Sequence, residues 1–237
     1  MTGGSTGERK NRYILLVDKN VDDRFRTGMI IQRIGYNICT ANSAQEAVDF
    51  SYVTPPVAIV AEAGTVGTTL LSRIKKDGRF SDVPLLYTTK EPDLDLELRA
   101  RRGEIAACLR KPVETEALYQ ALQAALEKTP RKNIRIPVAL KAKLMNVKER
   151  SEGLVTVISE YGMFFRTEEP LDLNAAVPVT ITFPDRSISL TAVVLYSYSL
   201  EASPFNEPGM GMKFTKIAAE DQAFIKSYIL AHVEGGL

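Results

Sequence analysis

From Tyr13 to Glu127 the chain repeats one rhythm, a short apolar run followed by a stretch with helical spacing. The runs are Tyr13–Val17, Tyr36–Thr40, Val57–Ala61, Pro84–Thr88 and Ile105–Leu109. Runs this short and this apolar suit strands covered on both faces. Between them, Val21, Phe25, Met29, Ile30 and Ile34 fall on one helical face. Leu70, Leu71 and Ile74 form a second such face, and Leu94 and Leu98 a third. Leu118, Leu122 and Leu126 recur at helical spacing in the last segment. Ser43, with Glu46 three residues on, has the pattern of a capping box. Five β–α units of this kind predict a doubly wound, five-stranded parallel sheet with helices on both faces.

The rhythm stops at Thr129-Pro130. Residues 131–150 carry Arg131, Lys132, Arg135, Lys141, Lys143, Lys148 and Arg150 against Glu149 alone. From Ile136 the spacing is that of strands: Ile136–Met145, Gly153–Ser159, Met163–Thr167, Val177–Phe183, Ser187–Tyr198 and Met210–Phe214. Turn residues separate them, as in Pro184-Asp185 and Asn206-Glu207-Pro208-Gly209. That pattern predicts a small antiparallel β-barrel or sandwich. A helix near Ala218–Val233 closes the chain, with Phe224, Ile225, Tyr228 and Ile229 on one face. The predicted organisation is a disordered Gly/Ser/Thr-rich lead-in over 1–11, an α/β domain over 12–128, a basic linker over 129–136 and a barrel over 137–237.

Composition narrows the function classes. The chain has 237 residues, enough for one or two domains. Its formal net charge of +1 argues against a surface built throughout for nucleic acid or anionic membrane. No apolar run approaches the ~20 residues of a membrane span. The N-terminus has no apolar core of a secretory signal, so a cytoplasmic protein is expected. The two cysteines, Cys39 and Cys108, sit inside apolar runs and read as reduced core thiols. With one histidine, His232, and two separated cysteines, no zinc site can be assembled. There is no nucleophile–base pair and no phosphate-cradling glycine loop, so an enzyme is not expected. The basic stretch has no helix-turn-helix pattern, so nucleic acid is not the expected partner either.

The first domain resembles the receiver domain of two-component response regulators. The segments that carry the resemblance are LLVDKNVDDRFR after the first strand, VAIVAEAG closing the third, PLLYTTK closing the fourth and LRKP after the fifth. In the family these strand ends hold an acidic pair, a phospho-acceptor Asp, a hydroxyl and a Lys-Pro often joined by a cis bond. Asp18, Thr89 and Lys111 match that pattern. Two positions depart from it: Lys19 replaces the second acid, and Glu62 replaces the acceptor Asp. Lys19 removes a Mg²⁺ ligand and adds a cation near the metal position, so Mg²⁺ is not expected to bind. Glu62 is a methylene too long for the same attack geometry. The resemblance with these departures predicts a phosphorylation-incompetent receiver. In it, Asp18 and Glu62 neutralise Lys19 and Lys111, and Glu62 could stand in for the phosphorylated state.

The second domain resembles the PilZ domain, a small β-barrel that binds cyclic di-GMP. The resemblance rests on three motifs in order: RKNIR, with Arg131 and Arg135 in an Arg-x-x-x-Arg; VISEYG, with Ser159 and Gly162 in the family's [Asp/Asn]-x-Ser-x-x-Gly; and PGMGMKF before a last helix. It implies that Arg131, Arg135, Ser159 and Gly162 bind cyclic di-GMP. Guanidinium groups suit such a ligand, because they pair bidentately with phosphate, stack on purines and read the guanine O6/N7 edge. Gly162 would allow a sharp turn and leave room for a base. Arg166 is a further candidate phosphate contact. Val157 stands where the family has Asp or Asn. A hydrogen bond lost there costs about 1.5–3 kcal/mol, about tenfold to a hundredfold in affinity.

Together the two resemblances imply a non-catalytic bacterial signalling protein, a cyclic di-GMP effector. Ligand binding at the Arg pair and the barrel would change the domain arrangement and the binding of an unidentified protein partner. Motility and chemotaxis-like behaviour are the settings that such domains imply. Receiver domains commonly pair through faces corresponding to residues 84–127, which leaves a homodimer open. The alternative is a protein–protein adaptor in which neither domain keeps its ligand or phosphoryl chemistry.

Overall fold

The computed structural model describes residues 13–67, 78, 80–145, 152–199 and 207–235. The lead-in over 1–11, the helical face of Leu70, Leu71 and Ile74, and Lys148, Arg150 and Asn206 lie outside the described residues. The chain divides into two compact units, with the main division between Lys132 and Asn133.

The first unit is built on a parallel sheet of β1 (Tyr13–Val17), β2 (Asn37–Ala41), β3 (Ala58–Glu62), β4 (Leu85–Thr89) and β5 (Ala107–Arg110). The strand order is β2-β1-β3-β4-β5. This is the flavodoxin-like doubly wound order, whose direction reverses beside β1 and places a crevice at the carboxyl ends of β1 and β3. Every residue of β3 and β4 is buried, as their apolar runs require. The helices of this unit are α1 (Val21–Arg33), α2 (Ala44–Val53), α3 (Leu94–Arg101) and α4 (Thr115–Leu126). Asn20, Ser43 and Asp93 cap the first three, each accepting from a backbone N–H of the first turn. Half of the expected Ser43–Glu46 capping box forms, with Ser43 Oγ accepting from Glu46 N; Glu46 Oε2 reaches one residue further back and accepts from Asn42 N at 2.7 Å.

Two helical faces differ from those expected. Val21 and Phe25 are 65% and 70% exposed; of the expected face α1 buries Ile30, and it buries Thr27, Gly28 and Ile31 beside it. Leu94 and Leu98 of α3 are exposed, and Leu96 is the residue it buries. In α4, Leu118 and Leu122 are fully buried as their spacing predicts.

The second unit is a closed antiparallel barrel of six strands. These are β6 (Arg135–Leu144), β7 (Glu152–Ser159), β8 (Gly162–Arg166), β9 (Ala176–Thr182), β10 (Ser187–Tyr198) and β11 (Gly209–Lys216). Around the barrel they run β10-β11-β8-β7-β6-β9, and β9 pairs with β10 to close it. Closure removes the free strand edges that would invite aggregation. Ile136, Val155, Ile158, Phe165, Ile181, Val194 and Met210 point inward and are fully buried. The last helix, α5 (Ala219–Glu234), sets Phe224 and Tyr228 edge-on against Phe183 at 5.2 and 5.0 Å. Arg186 lies over the Phe224 ring at 5.1 Å and pairs with Asp221.

Candidate functional site

In the first unit the four strand ends singled out by sequence converge. Asp18 follows β1, with its backbone N–H held by Ala41 O at 3.1 Å. Glu62 ends β3, Thr89 ends β4, and Lys111 follows β5 through a cis peptide bond to Pro112. Lys111 Nζ pairs with Asp18 Oδ2 and, at 2.9 Å, with Asp23 Oδ2. Burial draws the Lys111 ammonium down, but hydrogen bonds and charge from Asp18 and Asp23 outweigh it and hold its pKa above the ordinary lysine value. The other oxygen of Asp18 accepts from Asn20 N at 2.9 Å, and Arg24 donates to the Asp18 carbonyl.

The charge pairing differs from the expected one. Glu62 makes no direct pair with Lys111. Its Oε1 accepts from Gly64 N at 3.0 Å and its Oε2 from the Thr65 hydroxyl at 2.5 Å. Burial pushes its pKa up, but the Thr65 and Gly64 hydrogen bonds and the nearby Lys111 charge together leave it below the ordinary carboxylate value. Lys19 is exposed, and among the described residues its ammonium makes no ion pair; its backbone N–H donates to Thr65 Oγ1 at 3.0 Å. Thr89 meets the thiol of Cys108, whose pKa burial raises and this hydrogen bond partly restores. Asp23 and Thr65 are the residues that sequence reasoning missed.

The donor set does not fit a Mg²⁺ ion. A hard cation needs several free oxygens in octahedral array. Here the Lys111 ammonium is the cation among the carboxylates, bonded to Asp18 and Asp23, and Lys19 stands where a second acid would be needed. Among the described residues no group of three or more His, Cys, Asp or Glu could hold a metal ion.

In the second unit the strand register aligns three of the sequence-predicted residues. Arg135 of β6 pairs with Ser159 of β7, and Ser159 pairs with Gly162 of β8. Gly162 in turn pairs with Lys213 of β11. Their neighbours Ile136, Ile158, Met163 and Met212 face the barrel interior, so this row lies on the outer face. Arg135 and Lys213 are exposed. Ser159 donates through its hydroxyl to Gly162 O at 3.1 Å. Gly162 has a packing reason of its own. A Cβ there would stand 2.5 Å from Met212 O, so only glycine lets β8 and β11 approach this closely.

Arg131 is exposed, and its backbone N–H donates to Gln123 Oε1 at 3.0 Å. Arg166 is exposed and has Glu207 3.7 Å away as an ion-pair partner, and Glu207 also accepts from the Thr156 hydroxyl. Val157 is half-buried and lies between Pro137 and Phe164 in the register. Its apolar side chain matches these cross-strand neighbours.

Comparison with known proteins gives a family and several solved structures. Residues 129–231 match the family model for the PilZ domain. A signal receiver domain of an HD domain-containing protein from Pseudomonas fluorescens Pf-5 is 28% identical, covering 49% of this chain and 95% of that one at a TM-score of 0.44. The chemotaxis protein CheY4 of Vibrio cholerae is 21% identical, covering 48% and 98% at a TM-score of 0.44. The Bacillus subtilis inhibitor of motility MotI/DgrA is 22% identical, covering 43% and 50% at a TM-score of 0.38. A search of curated proteins returned no match. The β2-β1-β3-β4-β5 order is itself the one that flavodoxin and CheY share. Residues 129–231 are thus a PilZ domain, a family that binds cyclic di-GMP, and the α/β unit ahead of them has the fold of response-regulator receivers.

Proposed function

We propose that this protein is a non-catalytic cyclic di-GMP effector whose receiver-fold unit has given up phosphoryl chemistry. The observation that carries the reading is the outer-face row Arg135–Ser159–Gly162 within a PilZ domain. Arg131, four residues before Arg135, adds a second guanidinium on the linker. Two guanidinium groups match the two phosphates of the ligand and can also stack on its bases. A ligand that holds both linker and barrel restricts one relative to the other, and that differential binding is what a switch requires. The species that reads the change is a protein partner.

The closed arrangement around Lys111 supports the second half of the proposal. A phospho-acceptor must turn a carboxylate oxygen toward the phosphoryl donor, and both Glu62 oxygens are turned instead to the Gly64 N–H and the Thr65 hydroxyl. Lys111 supplies inside the cluster the positive charge that a metal would bring.

Isothermal calorimetry with cyclic di-GMP tests the first half. Saturable binding is expected, weakened about tenfold or more by Arg131→Ala or Arg135→Ala. No heat at tens of micromolar ligand would overturn it and leave the adaptor reading. Incubation with a small-molecule phosphodonor and Mg²⁺ tests the second half. No covalent phosphate is expected at residue 62, and its appearance would sink that half.

A further inference from the structure

The polar row on the outer face of the barrel has an apolar neighbour. Two residues along each strand, Pro137, Val157, Phe164, Gly211 and Tyr196 align across β6, β7, β8, β11 and β10. Side chains two residues apart on a strand share a face and lie about 7 Å apart. The second row therefore runs beside Arg135, Ser159, Gly162 and Lys213 on the same surface.

The second row carries rings. Phe164 and Tyr196 have centroids 6.5 Å apart, and Tyr198 joins Tyr196 at 5.2 Å. They lie over glycine backbone. A Cβ on Gly211 would stand 2.1 Å from the Tyr196 ring, and one on Gly209 would stand 2.8 Å from the Phe164 ring. Shielding these glycines accounts for the inner side of each ring only. Tyr196 remains 38% exposed and Phe164 is half-buried.

On the reading that the barrel binds cyclic di-GMP, we infer that Phe164 and Tyr196 form a platform for one guanine of the ligand. It would supply by stacking what Val157 cannot supply by hydrogen bonding. Three observations choose this occupant. The cations Arg135 and Lys213 stand in the adjacent row, where a phosphate would sit. In a nucleotide one sugar separates phosphate from base, which matches a step of one row. The residue that departs from the PilZ motif, Val157, is the direct cross-strand neighbour of Phe164, so the lost polar group and the half-buried ring occupy one place. An aromatic face accepts any base, because every base has a π-face, and the flanking arginines then add charge and cation–π contacts.

The test is calorimetry on the full chain with cyclic di-GMP. The double variant Phe164→Leu/Tyr196→Leu keeps apolar packing and removes the rings. It should bind about tenfold or more weakly. Phe164→Tyr and Tyr196→Phe, which keep the faces, should bind within about twofold of the parent. The steepness of the salt dependence should not change in the leucine variant, since no charge is lost, and should fall in Arg135→Ala. If the leucine variant binds like the parent while Arg135→Ala does not, the platform is wrong and the effector reading stands. If the parent itself does not bind, both fall. Should the leucine variant unfold, Tyr196→Trp decides. The chain has no tryptophan, so this residue reports alone. Its emission should change saturably with ligand, and an unchanged emission in a chain that binds would overturn the platform.

Discussion

Lys111 holds together two carboxylates that would otherwise repel each other. The side chains of Lys111 and Asp18 are only 6% and 4% exposed, so the pair is desolvated. Replacing Lys111 by Met leaves Asp18 buried without its cation. The first unit should lose about 3–5 kcal/mol in urea unfolding, and Lys111→Arg should recover part of it. Glu62 makes a pH-dependent contribution of definite sign. Its folded pKa is below the ordinary value, so its stabilisation is present above about pH 4.3 and is lost as the pH falls through the folded value. The stability advantage of the parent over Glu62→Gln should therefore shrink between pH 6 and pH 3, measured by urea unfolding at each pH. An advantage that grew with acid would contradict the bonding seen at Thr65 and Gly64. Gly162 offers a warning for ligand studies. Gly162→Ala drives a Cβ toward Met212 O and should cost the barrel about 1–3 kcal/mol, read from its thermal transition. Loss of ligand binding in that variant would report a distorted barrel, not a lost contact. Asp18, Glu62 and Lys111 were legible because the strand-end segments that carry them resemble those of receiver domains. Asp23 was not, because an acid in the first turn of a helix already has a reason in the helix dipole. Thr65 was hidden in a loop with no periodicity to read.

Elements were legible wherever burial and sequence pattern coincide. All eleven strands of the described residues lie within about two residues of the runs read from sequence. The ends moved for a physical reason: a strand stops where its ladder stops, and hydrophobicity marks the ladder only loosely. Helix faces were less legible. In α1, Val21, Phe25 and Met29 form a more apolar stripe than Thr27, Gly28 and Ile31 do. The sheet takes the second stripe because Gly28 allows close approach, a Cβ there lying 3.0 Å from Ile38 Cδ1 and 3.6 Å from Leu16. Phe25→Ser should then change stability by about 0.5 kcal/mol or less. Ile31→Ala, at a fully buried position, should cost about 2–5 kcal/mol. Chemical denaturation of both variants distinguishes the two stripes, and equal losses would return Phe25 to the core. In α3 the same rule holds in reverse. Leu96 alone is buried, and the Arg99–Asp95 pair stabilises the exposed side only weakly.

At the scale of the molecule, the break in rhythm at Thr129-Pro130 and the division of contacts near Lys132 describe one fact in two languages. A parallel sheet must bury both faces under helices, whereas a closed barrel buries one face on itself. Two such cores do not merge, and each needs its own hydrophobic pattern. The partner protein was not legible at this scale, because no surface feature of one chain names what will meet it. The ligand's energetic reach is legible. A molecule that binds the folded barrel and not its unfolded chain stabilises the barrel by about 2.7 kcal/mol at about a hundredfold excess over its Kd. Calorimetric scans of the full chain should resolve two transitions. Lys111→Met should lower the transition of the receiver-fold unit, and cyclic di-GMP should raise that of the barrel. Arg135→Ala should cancel the rise without moving the transition in the absence of ligand, because Arg135 is exposed. If ligand raises both transitions together, the arginines of the linker transmit binding from one unit to the other, and Arg131→Ala should then restore the receiver-fold unit to its ligand-free midpoint. If ligand raises neither, the barrel does not bind cyclic di-GMP at all, and its outer face serves a protein instead.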